Sequence, residues 1–256
     1  LTKPGSILRN EIEISGSVWD ETRPGFVEAD TVAHCGASGK GPFILTVTLT
    51  DIATQWTESR AIWTKTIERV VGAIQDIEST MPFPIQGFDC DNGSEFLNDH
   101  LIRYFKKKRI PLTRSRPYRK NDNAHVEQKN WMHARQLFGY ARFENPDLVP
   151  VMNDIYARLW FPYKNFFIPR MKLKEKIRVG SRIVRKYDEP MTPYHRVLAS
   201  PLIPEEKKLQ LQEQIKNLNP FRLKDEINKR MQLVQRLARV SFDEWQLAHT
   251  SSAPEQ

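Results

Sequence analysis

Three carboxylates stand where an acid is either costly or conspicuous: Asp30, Asp91 and Glu127. Asp30 lies in the middle of FVEADTV, an apolar and β-branched stretch in which a carboxylate needs a partner. Asp91 closes IQGFDCD and is followed by Asn92-Gly93, a turn signal that presents it at the C-terminal end of a strand. Glu127 falls in the first turns of a helical stretch that follows a polar loop. Three carboxylates brought together repel one another unless a cation neutralises them. Hard oxygen ligands of this kind suit magnesium or manganese. Asp91 has competitors in FDCDNGSEF: Asp89 shares its strand face, and Glu95 follows the turn. Side-chain direction alone leaves Asp89 open.

The elements that must position these acids are readable from periodicity. Residues 1–24 look like an extended linker with one short strand. FVEADTVAHC, PFILTVTLTDIA and QWTESRAIWT, rich in β-branched and aromatic residues, predict three strands joined by short turns. KTIERVVGAIQDIEST places Ile67, Val70, Val71, Ile74 and Ile77 on one helical face, ended by Pro82 and Pro84. IQGFDCD reads as a buried strand, NDHLIRYFKKKR as a helix capped by Asn98 or Asp99, and IPLTRSR as another strand. AHVEQKNWMHARQLFGYARF predicts a long helix, and PDLVPVMNDIYARLWFPYKNFF one more. Three strands, helix, strand, helix, strand, helix is an α/β order with a mixed five-stranded sheet flanked by helices, the order of the ribonuclease H-like fold.

The remaining chain differs in character. Residues 164–187, KNFFIPRMKLKEKIRVGSRIVRKY, hold nine Lys or Arg and a single Glu, which suggests a basic arm or small appended unit over 166–203. Residues 204–245 read as charged helices in which Leu223, Ile227, Met231 and Val234 form a seam for packing on another helix. Packing between chains is favoured over DNA binding for these helices, and 246–256 as a disordered tail.

With 256 residues the chain is long enough to bury a sizeable core. Its formal net charge of +8 favours an acidic partner, nucleic acid foremost. Cys35 and Cys90 stand alone and predict neither a zinc site nor a disulfide framework, but buried thiols in a reducing cytoplasm. No apolar run suits a membrane span. The chain begins with Leu rather than Met, so a longer parent is expected.

Thirty-five residues lie between Asp91 and Glu127, and Asp30 is on the first core strand. Around them stand DNGSEF at 91–96, Pro117-Tyr118 before the helix, and ExxN at Glu127 and Asn130. This set resembles the integrase core of the DDE superfamily, shared by retroviral integrases and bacterial insertion-sequence transposases. RSRPYRKNDNAHVEQKNW looks most like the bacterial branch. The resemblance covers residues 25–165, the expected catalytic core, and counting back from Glu127 by the family's spacing selects Asp91 over Asp89. It implies cutting of DNA 3′ ends and strand transfer with two Mg2+ or Mn2+ ions per active site when DNA is bound. Asp30 is expected to bridge both ions, with Asp91 holding one and Glu127 the other. Implied partners are mobile-element ends and target DNA, engaged by a dimer or tetramer in the bacterial cytoplasm at the nucleoid.

Residues 103–120, RYFKKKRIPLTRSRPYRK, carry nine basic side chains and no acid and lead into the helix of Glu127. Candidate DNA contacts are Arg116, Tyr118, Arg119, Lys120, Asn123, Lys129, Asn130 and Arg135. Tyr118 matches a loop tyrosine of the retroviral pattern, and Asn123 stands where that pattern has glutamine. The family's lysines four and seven residues after the glutamate are Trp131 and Ala134 here, leaving Lys129 and Arg135 as substitutes. Two other readings share the fold: a nuclease that hydrolyses without joining, and an inactive DNA-binding remnant of a mobile element.

Overall fold

The β-branched runs form the sheet. The structure, a computed structural model, describes residues 12–14, 22–91, 93, 96, 98–114, 134–180 and 182–250. β1 (Glu13–Ile14) is short; β2 (Phe26–Ala33), β3 (Ile44–Asp51) and β4 (Thr57–Trp63) make an antiparallel meander. β5 (Gly87–Cys90) returns parallel to β2, and β6 (Leu112–Arg114) lies parallel to β5. The order across the sheet is β1-β6-β5-β2-β3-β4. Five of these strands have the mixed order and directions of a ribonuclease H-like α/β fold, and β1 adds a sixth, parallel to β6.

One sheet face is apolar. Val27, Ala29, Val47, Leu49, Phe88 and Cys90 are buried there together with Val70, Ala73, Ile74 and Ile77 of α1 (Ile67–Thr80) and Leu101 and Phe105 of α2 (Asp99–Lys108). Asn98 caps α2 by accepting from the Leu101 amide at 2.9 Å, and Arg109, left-handed at φ 57°, ends it. Lys106, Lys107 and Lys108 crowd its last turn, where they complement the helix dipole.

The other face is polar, with hydroxyl rungs Thr48–Ser59 at 2.8 Å and Thr50–Thr57 at 3.2 Å. At its Ile44–Ala61 end a second core forms with α3 (Gln136–Phe138), α4 (Leu148–Asp154), a π-helical stretch Ile155–Trp160 and α5 (Phe161–Phe167). The last three run on as one helix, as expected. Its π turns immediately precede Pro162, whose missing N–H breaks the ordinary ladder. Two asparagines of this helix pair with the outer edge of β4. Asn153 bonds both the N–H and the C=O of Ala61 at 2.7 and 3.0 Å, and Asn165 does the same to Thr57 at 3.3 and 3.0 Å. An otherwise bare strand edge is thereby closed.

The helix expected over 124–143 ends earlier than its periodicity suggests. Gly139, at φ 73°, terminates α3, and Phe143 then bonds the backbones of His34 and Ile44. Beyond α5 come an antiparallel hairpin, β7 (Leu173–Val179) and β8 (Arg182–Tyr187), and helices α6 (Pro193–Ala199), α7 (Glu205–Lys216), α8 (Pro220–Leu237) and α9 (Phe242–Thr250). α9 thus runs into the stretch expected as a tail. The seam of α8 packs inward: Ile227 and Val234 are buried and Met231 half-buried against the second core of this same chain.

Candidate functional site

Parallel pairing of β2 with β5 places acids side by side. The register pairs Glu28 with Asp89 and Ala29 with Cys90, and one step further along both strands stand Asp30 and Asp91. Paired residues on parallel strands share a face, and neighbouring strands lie about 4.8 Å apart. Glu28, Asp30, Asp89 and Asp91 therefore form two acidic rungs on the polar face. The inner rung is buried, while Asp30 and Asp91 are half-buried at the mouth.

Asp89, Asp30 and Asp91 each accept from a donor. Thr113 of β6, which pairs with Asp89 in register, donates its hydroxyl to Asp89 Oδ1 at 2.6 Å. The Thr31 amide donates to Asp30 Oδ1 at 2.7 Å, and the Gly93 amide to Asp91 Oδ1 at 2.9 Å. Such bonds fix the carboxylate's rotamer. Asp89 is thus engaged deep in the sheet, whereas Asp91 sits at the strand end.

Glu127 lies outside the described residues, as do Arg116, Tyr118, Arg119, Lys120, Asn123, Lys129 and Asn130. Arg135 is described: its guanidinium donates to the Ala33 carbonyl at 3.0 Å and to Gly139 O at 3.4 Å, and stacks over Tyr140. It ties the chain entering α3 to the end of β2. Among the described residues, no group of three or more His, Cys, Asp or Glu is placed to hold a metal ion. The donor set that is present, carboxylate oxygens on adjacent strands, has the chemistry of a hard-cation site.

Glu28 was missed in the sequence, although the i, i+2 alternation of FVEADTV puts it on the face of Asp30. His34 was missed as well. Burial, aided by the Arg135 charge, pushes its imidazole down to about 3, so it is neutral. Its Nε2 contacts Thr46 Oγ1 at 2.9 Å, which meets the Tyr156 hydroxyl at 3.1 Å. The ring stacks on Phe143 at 5.1 Å. This buried chain cements β2, β3 and the π-helical stretch just beyond Asp30.

The loop following His34 is held by one side chain. Arg142 Nη1 donates to the carbonyls of Cys35 and Ser38 at 3.2 and 2.7 Å, and Nη2 to those of Lys40 and Pro42 at 2.7 and 3.3 Å. Its Nε pairs with Glu144 at 2.5 Å. Gly36 and Gly41, at φ 59° and 72°, supply the left-handed turns that aim these carbonyls inward.

No family model matches the chain. An uncharacterized protein, y4rM, of Sinorhizobium fredii (strain NBRC 101917 / NGR234) is 43% identical over 180 residues. That match takes in 70% of this chain, which spans about half (51%) of the length of the relative. Among solved structures, the chain is similar to one in a simian T-cell lymphotropic virus intasome complexed with PP2A regulatory subunit B56 gamma. There the identity is 15% and the TM-score 0.41, over 49% of this chain and 44% of that one. It is also similar to the catalytic core domain of BIV integrase, at 17% identity and TM-score 0.34, over 44% of this chain and 71% of that one.

Proposed function

We propose that this chain is the catalytic region of a DNA transposase or integrase that cleaves DNA 3′ ends and joins them to target DNA. The observation that carries the reading is the placement of Asp30 and Asp91 one register step beyond the Ala29–Cys90 pair, at the mouth of the polar face. The DNGSEF and ExxN spacing adds Glu127 as the third carboxylate.

Asp30, Asp91 and Glu127 are the residues that would hold two Mg2+ or Mn2+ ions, which when bound supply charge neutralisation at the phosphate and an activated water or 3′-hydroxyl. The chain's own residues prepare that site. The Thr31 and Gly93 amides hold Asp30 and Asp91 in fixed orientations. Thr113 engages Asp89, leaving Asp91 as the outward carboxylate of its strand. Arg135, eight residues after Glu127, bonds the carbonyl of Ala33, three residues after Asp30, and so ties the two segments at one point. Basic residues of 103–120 and the candidate contacts named above other than Arg135 would hold the DNA backbone, with the enzyme acting as a dimer or tetramer of a bacterial mobile element in the cytoplasm.

The test supplies DNA ends with free 3′-hydroxyls, a target duplex and manganese. Asp30→Asn, Asp91→Asn and Glu127→Gln are each expected to abolish joined products while leaving the thermal melt intact. Normal joining by all three variants would overturn the assignment. Hydrolysis without joining by the parent chain would make it a nuclease, and DNA binding without cleavage across several divalent metals a remnant.

A further inference from the structure

The hairpin β7–β8 is rooted firmly, and its second strand is bare. At its base, Lys172 N donates to Asp188 Oδ1 at 2.5 Å, and Arg196 bridges Asp188 Oδ2 at 2.6 Å and the Arg170 carbonyl at 2.8 Å. Arg170 is buried and donates to Gln55 O and Thr57 Oγ1, while Lys172 Nζ reaches Ala53 O at 3.0 Å. These bonds fasten the hairpin to the β3–β4 turn. Its second strand is in water: every residue of β8 is exposed, with Ile183 at 57% and Tyr187 at 50%. A lone two-stranded ribbon is marginal by itself, so a rooted but bare blade has the form of an arm.

Its charge selects the occupant. Residues 173–187 contain six Lys or Arg against one acid, Glu175, which is paired with Lys186 at 3.3 Å. Arg178 and Arg185 fall on one face by register, with Tyr187, and Arg182 on the other. A second copy of so basic a blade would be repelled, whereas a polyanion would be attracted. We infer that the β7–β8 hairpin is a duplex-DNA clamp, its arginines gripping the phosphates that flank a major groove, which is wide enough for a two-stranded ribbon. It rests on the proposed function only in choosing DNA among polyanions. The root lies at the end of the sheet where β2 begins, since Asp51 pairs with Val27, and Asp91 lies toward the other end. The arm is therefore rooted at the strand end opposite Asp91.

The test measures binding of the full chain to a random-sequence duplex by fluorescence anisotropy in EDTA, between about 50 and 200 mM salt. Metal-free binding makes no use of the carboxylates, so failure here and failure to join DNA are separate results. Arg178→Gln/Arg182→Gln/Arg185→Gln is expected to lower the salt slope by about 2 to 3 and to weaken binding by about tenfold or more. The triple Arg→Lys variant should keep the parent's slope. An unchanged slope in the Gln variant, or equal loss in the Lys variant, would overturn the inference. So would loss of self-association by sedimentation with DNA binding intact, which would make the blade a protein contact.

Discussion

Arg142→Met isolates how one side chain holds the loop beside the acidic rungs. Four carbonyls, of Cys35, Ser38, Lys40 and Pro42, lose a charged donor, and Glu144 loses its partner. Bonds to a charged group are each worth about 1.5–3 kcal/mol when buried. Here the Arg142 side chain is 26% exposed and water can replace it at several of the carbonyls, which reduces the net to about 0.5 kcal/mol each. The four together give about 2 kcal/mol. Loss of that amount acts mainly on local opening, because the loop's ends remain fixed by the backbone bonds of His34 and Ile44 to Phe143. Lys40 lies within the loop and reports on opening through tryptic cleavage. When reclosing outpaces cleavage, the rate follows the open population, so about 2 kcal/mol predicts cleavage after Lys40 roughly 30-fold faster. Arg142→Lys, which keeps the charge but loses the planar fork, should fall between. Cleavage of Arg142→Met at the parent's rate would refute the clamp.

Phe88→Ala should cost about 3–5 kcal/mol in urea unfolding, because Phe88 is fully buried and packs against the Phe105 ring at 4.4 Å between centroids. A loss under about 1 kcal/mol would mean the apolar face is not packed as described. Burial pushes Glu58 up to about 7 against the pull of Arg60, whose guanidinium is shared with Asp76. A raised carboxyl favours the protonated fold, so its contribution is complete below about 4.5 and is lost as pH rises through about 7. Glu58→Gln should therefore flatten the fall in melting temperature between pH 5 and 8, and an equally steep fall would refute it. His34 acts in the opposite sense. Unfolded histidine takes its proton near 6.5 and the folded one near 3, so stability drains as pH falls across that window. His34→Gln should remove part of that acid limb in a melt series from pH 7 to 4.

The sheet and its helices were legible where one physical cause dominates. The α1 stripe of Val70, Ile74 and Ile77 follows from burial of a single helical face, and Asn98 from the unpaired amides of a helix start. Alternation held even where both faces are covered: β3 is buried at every position, yet Leu45, Val47 and Leu49 alternate with Thr46, Thr48 and Thr50 and mark the apolar and polar faces. The pairing of Glu28 with Asp89 and the His34–Thr46–Tyr156 chain were not legible. Their partners lie on other elements, and only strand register brings them together. The β7–β8 hairpin carried its own signals, a polar and apolar alternation around Gly180-Ser181, yet its charge read first as an arm. The two acids at the mouth stand out in the sequence because turn chemistry marks one of them and an apolar strand isolates the other.

The second core has a consequence for the order of synthesis. Its members span the chain, from Ile44 and Ala61 on the sheet to Ile227 and Val234 on α8. A growing polypeptide has its apolar sheet face and α1 and α2 in hand early. The polar-face core stays without its last wall until α8 has emerged, so completion of the fold waits on residues far downstream. Within that interval Asn153 and Asn165 matter most, since they shield the open edge of β4 from pairing with a neighbouring nascent chain.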